Sequence, residues 1–213
     1  MLRLGPIMSL FDVIAAGHRG QCFALLARRF LVNEPQAALA VRFLLPAVLP
    51  SFEAWVSEPA GLTSFLDAMS RGGYDGALTL PATLSNSFER DRGVQLLELF
   101  RSVREIDGAD IARAAEASGL TYRVLLQMLP FVALFMMAAL RINSQTPLRE
   151  ILIKRLGSRL KTSADPFADL AELVAWEAKG PRHGILASVL DGLFNRQGAD
   201  RPELTEHATA SLA

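Results

Sequence analysis

One pattern constrains this chain more than any other. A helix–turn–helix block of the same design occurs at residues 26–55 and again at 112–140. Each copy pairs a short helix with a polar face and a longer helix that is largely apolar. Each long helix carries a Leu-Pro step, Leu45-Pro46 and Leu129-Pro130. In the first, Ala38, Val41, Leu44, Leu45, Val48, Leu49 and Phe52 recur at the three-and-four spacing of a buried helical face. Fifteen residues separate Leu31 from Pro46 and eleven separate Gly119 from Pro130. The difference, four, is about one helical turn, so an insertion of that length leaves the same face inward. The expected fold class is all-α: a multi-helix orthogonal bundle built on two related helix-turn-helix blocks, with a C-terminal helical appendage.

Punctuation along the chain supports helices throughout. Ser9 and Asp12 have capping-box spacing, and residues 8–12 look like a natural start, with 1–7 as an upstream extension. Asp12 interrupts the early apolar run, which argues against a signal peptide. A first helix is expected to about Ala16, then Gly17 and Gly20 loosen the chain before a helix over 21–30. Asn33 is an N-cap, followed by Pro35 in the first turn. Pro46 and Pro50 each remove a backbone donor and predict a kink or a break. A break at 57–61, a short helix at 62–69 and a loop at 71–81 follow, the loop because three glycines and a proline fall there. Residues 91–103 are amphipathic. Asp110 is expected to cap the next helix, Gly119 to end it in a left-handed turn, and Thr121 to cap the helix 122–140. A separate amphipathic helix is expected at 147–160. Asp165-Pro166 opens another, and 185–194 is a last apolar helix. The expected division is a domain at 8–160, a helical appendage at 161–195 and a disordered tail at 196–213.

Composition excludes more than it selects. Lysines plus arginines and aspartates plus glutamates both number 22, so no global charge draws the chain to nucleic acid or anionic lipid. The single cysteine, Cys22, rules out an intrachain disulfide and cysteine-rich zinc sites, and fits a cytoplasmic location. His18 and Cys22 stand four apart, but the intervening glycine disfavours a shared helical face and no third group orients a base. His183 and His207 lack metal-ligand spacing. Asp107, Asp110, Asp165 and Asp191 sit where caps and turns need them. Gly72-Gly73 lacks the lysine and the strand–helix setting of a phosphate loop. No catalytic residue, cofactor, metal or small-molecule substrate is expected.

The segments MSLFD (8–12), LARRF (26–30), ALAVRFLLPAVL (38–49), GVQLLELFRS (93–102) and GLTYRVLLQMLP (119–130) together resemble the YidB-like family, a bacterial domain of unknown function numbered 937. The resemblance extends over about residues 8–195 and includes DPFADLAELV (165–174) and ILASVLDGLF (185–194). It implies an all-helical fold and carries no established activity. Two departures stand out: Leu31 occupies a turn position where relatives usually have glycine, and region 71–76 and the C-terminal part are poorer in glycine than is typical.

Three functional readings remain. The first is a non-enzymatic cytoplasmic protein that self-associates or binds a protein partner through helical surfaces. It follows from a surplus of apolar helix without site chemistry. The second is a DNA-binding regulator. Ala115, Gly119, Leu125 and Met128 match the small, turn and core positions of a helix-turn-helix, leaving Thr121, Tyr122, Arg123 and Gln127 for a major groove. The very apolar continuation 131–137, and Glu34 at the equivalent place in the first block, weigh against it. The third is attachment to a membrane. Residues 124–140 carry no charge over seventeen positions. That is the low end of the roughly 17–25 needed to span a bilayer. The stretch 141–161 has six basic residues against one acid, Glu150, and offers Arg149, Lys154, Arg155 and Arg159 as a membrane or partner face. A central core helix and an ordinary surface helix account for the same two stretches.

Overall fold

The computed structural model describes residues 9–71, 74, 76–79, 87–156 and 165–170, with backbone alone at 146, 147 and 150–156. Expectations for 1–8, for Arg159, His183 and His207, for the helix 185–194 and for the tail lie outside these residues.

The described chain is an all-α bundle: α1 (Leu10–Gly20), α2 (Cys22–Phe30), α3 (Glu34–Ser57), α4 (Pro59–Arg71), α5 (Gly76–Thr79), α6 (Ser87–Arg101), α7 (Gly108–Ser118) and α8 (Tyr122–Leu156), then helical residues 166–170. The helix starts follow the local chemistry. Ser9 Oγ accepts from the Asp12 amide at 3.1 Å, and Asn33 and Gln36 complete a reciprocal capping box at the head of α3. Thr121 Oγ1 accepts from the Val124 amide at 3.4 Å. The cap of α7 is Asp107, accepting from Ala109, and not Asp110, which lies inside the first turn and pairs with Arg113.

The turns α2–α3 and α7–α8 share one geometry. A left-handed residue (Leu31 at φ 55°, Gly119 at φ 66°) is followed by an apolar residue and then by the cap. Glycine takes that conformation freely, whereas leucine does not. The Val32 amide closes the first turn onto the Ala27 carbonyl at 3.0 Å.

Three expectations about chain breaks are corrected, and of the kink or break expected at Pro46 and Pro50 the break does not occur, because α3 runs through both prolines. Pro46 is exposed and Pro50 half-buried, so water can reach the carbonyls left without an amide partner. α8 likewise continues through Pro147, so 147–156 is no separate helix. Leu140, Ser144 and Leu148, at four-residue spacing, are all buried and keep one face inward across the proline. The expected break at 57–61 shrinks to Glu58, and α4 extends over both ends of the expected helix. Within the expected loop 71–81, residues Gly76–Thr79 form the single turn α5.

α8 is the centre. α1, α3, α5, α6 and α7 all pack on it, and every residue from 128 to 140 is buried. The other extensive pairing joins α3 to α7. Phe52 and Trp55 of α3, Phe65 of α4 and Phe100 of α6 form an aromatic cluster, with Phe52–Phe65 and Phe52–Phe100 edge-on at 5.5 Å. Phe167 and Leu170 also lie in this core, and Arg141 of α8 holds Asp165 at 3.2 Å.

Candidate functional site: the outward faces of the two long helices

α3 buries Val41, Leu44, Leu45, Val48 and Phe52 as its spacing predicts, while Ala38 and Leu49 are half-buried. Its opposite face is also apolar. Pro35, Leu39, Phe43 and Pro46 follow one another at helical spacing and all are exposed, Leu39 by 37% and Phe43 by 39%. Arg42 is exposed on one flank of this stripe. The Arg42 guanidinium lies 6.0 Å from the centre of the Phe11 ring. Sequence reasoning missed this face. The signal was present in the recurrence of Pro35, Leu39, Phe43 and Pro46, but an inward stripe of similar strength masks it.

The first turns of α8 present a second surface. Thr121, Tyr122, Arg123 and Gln127 are all exposed and lie together on the start of one helix, with Leu126 beside them at 39% exposure. Leu125 and Met128 are fully buried and Ala115 is half-buried. The Tyr122 hydroxyl folds back toward Gly108 at the head of α7. Of the basic set, Arg149 is exposed on α8, and Lys154 and Arg155 belong to its last turn.

His18 and Cys22 are not brought onto one helical face. Gly17, His18 and Arg19 leave helical geometry, so the imidazole belongs to a kink and the thiol to the next helix. The buried His18 Nε2 lies 3.0 Å from the Ala77 carbonyl of α5, an arrangement in which Nε2–H donates. Burial lowers the pKa of His18, and the Ala77 bond only partly opposes this. Burial pushes the Cys22 thiol up to about 12, so it is protonated and unreactive at neutral pH. No group of three or more His, Cys, Asp or Glu among the described residues is arranged to hold a metal ion.

Two helical stretches, Glu34–Ser57 and Tyr122–Gln145, are long and apolar enough to cross a membrane. The second has 78% of its apolar window buried within the protein and the first 50%. No family model, no curated protein and no solved structure matches this chain.

Proposed function

We propose that this chain is a non-enzymatic, cytoplasmic binding module that receives a helical protein surface on the outward face of α3. The observation that carries this reading is the exposed series Pro35, Leu39, Phe43 and Pro46 on a helix whose other face is already committed to the core. A contiguous apolar strip on a water-facing helix costs solubility and gains stability only when covered. The burial of every residue from 128 to 140 supports a water-facing bundle, because the most apolar turns of α8 are covered by the protein itself. Membership of the YidB-like family is part of the same proposal and brings no activity with it.

The test is a photo-crosslinking amino acid at Phe43, with the same group at Glu98, exposed on α6, as control. A discrete adduct from position 43 that disappears on Leu39→Asp supports the reading. Equal labelling from both positions, or none from either, ends it.

A DNA-binding reading draws support from Thr121, Tyr122, Arg123 and Gln127 standing exposed at the head of α8 after a left-handed turn. Mobility shift at low salt decides it. Binding at micromolar protein that weakens with Arg123→Ala favours it, and no shift with any duplex excludes it.

A further inference from the structure

We propose that α5 is a latch seated on the kink of α1, and that proton uptake at His18 releases it while the rest of the bundle stays folded. The kink is unusual backbone. Gly17, His18 and Arg19 leave helical geometry, and His18 and Arg19 are left-handed at φ 52° and 60°. Residues other than glycine rarely adopt that conformation, and it persists where surrounding contacts hold it. α5 supplies two such contacts. Leu78 packs so closely on Gly17 that a methyl carbon there would lie 2.9 Å from Leu78 Cδ2. His18 Nε2–H donates to the Ala77 carbonyl at 3.0 Å, joining α1 to a segment distant along the chain.

The two ring nitrogens make this seat sensitive to acid. Nδ1 is buried and meets no hydrogen-bonding group among the described residues. Protonation turns it into an N–H without an acceptor, on a ring that then carries its charge away from water. The Ala77 bond opposes this, but burial is the larger influence on the imidazole. In the released form both N–H groups reach water, so that form takes up the proton more readily and acid favours it. Among the described residues no charged side chain faces the ring. Asp12 and Arg19 of α1, Arg28 of α2, and Glu34, Arg42 and Glu53 of α3 are exposed. Cys22 is buried and neutral, and α5 has no ionisable side chain. On α8, Arg123 and Arg149 are exposed and Arg141 holds Asp165. Release uncovers Ala77, Leu78 and the part of α8 on which α5 rests, while α3, α6 and α7 keep their own contacts with α8.

The experiment is hydrogen–deuterium exchange of the full chain from pH 7.5 to 4.5, read by mass spectrometry and normalised for the intrinsic exchange rate at each pH. Peptides covering 76–79 are expected to be less protected than those covering 128–140 at every pH. Their opening should grow by up to about tenfold per pH unit below the ordinary histidine value of about 6.5. The growth should level off at the pH where the His18 ring resonances titrate by NMR, a check that needs no variant. H18N keeps the left-handed backbone and cannot titrate; with its fold established by circular dichroism, it should expose 76–79 to the same extent at every pH. Equal protection of 76–79 and 128–140 would mean that α5 opens only with the whole chain, and overturns the latch. So does opening in the natural chain that ignores pH, that fails to level off where His18 titrates, or that keeps its pH dependence in folded H18N.

Discussion

Gly93 of α6 rests on the backbone of Pro130 in α8: a methyl carbon at Gly93 would lie 2.1 Å from the Pro130 carbonyl oxygen. The missing side chain lets the two helices touch. The proline backbone it touches is buried and carries no movable atoms at the contact.

Gly93→Ala is therefore expected to destabilise the protein. In an open helix the same change gains up to about 1 kcal/mol. Here the added methyl forces α6 away from α8, an overpacking cost of about 1–3 kcal/mol. Urea denaturation measures it, and an unchanged or raised midpoint would contradict the close crossing.

Stability should fall as pH drops below about 6.5, with His18 as the source. Its pKa is lowered in the folded state, so the unfolded chain takes up the proton first. The stability due to neutral His18 is complete above the unfolded value. It is lost as pH falls from there through the folded value, at no more than about 1.4 kcal/mol per pH unit. His18→Asn should remove this slope, and asparagine tolerates the left-handed backbone at φ 52°. Melting curves between neutral and mildly acid pH compare the two proteins; identical slopes would clear His18 of the effect.

Leu31→Gly should stabilise. Leu31 is left-handed and 93% exposed, so its side chain buries almost nothing against the conformational cost. Relief of about 1–2 kcal/mol of strain exceeds the extra backbone entropy of glycine, for a net gain of roughly 0.5–1 kcal/mol. A lower melting temperature in the variant would refute the strain argument.

Phe167→Ala should cost about 3–5 kcal/mol, the usual range for a core phenylalanine. The ring is 1% exposed, 5.5 Å from the Arg141 guanidinium, and belongs to the same core as α8. Equilibrium unfolding tests it; a change within the roughly ±0.5 kcal/mol of a surface substitution would mean that 165–170 does not anchor on the bundle.

How much of this was legible beforehand differs from place to place. The caps at Ser9, Asn33 and Thr121, the left-handed Gly119 and the inward positions of α3 all follow from contacts within a few residues. Pro147 misled, because its local cost is outweighed by Leu148 returning to the core. The Gly76–Thr79 turn was missed because it is held against α1 and α8, by partners distant along the chain. At the candidate surface, exposure of Thr121, Tyr122, Arg123 and Gln127 was foreseen, whereas Leu39 and Phe43 went unassigned.

The all-helical character, the helix ends and the two long apolar helices were written in the amino-acid order, because spacing and capping act over one or two turns. The inward face of α3 follows from its spacing; that the outward series Pro35, Leu39, Phe43 and Pro46 stays open to water was decided only by which neighbours packed around the helix. Local spacing names the stripe that turns inward, but how much apolar surface of the same helix stays uncovered depends on the number and placement of its neighbours, which no short stretch of sequence encodes.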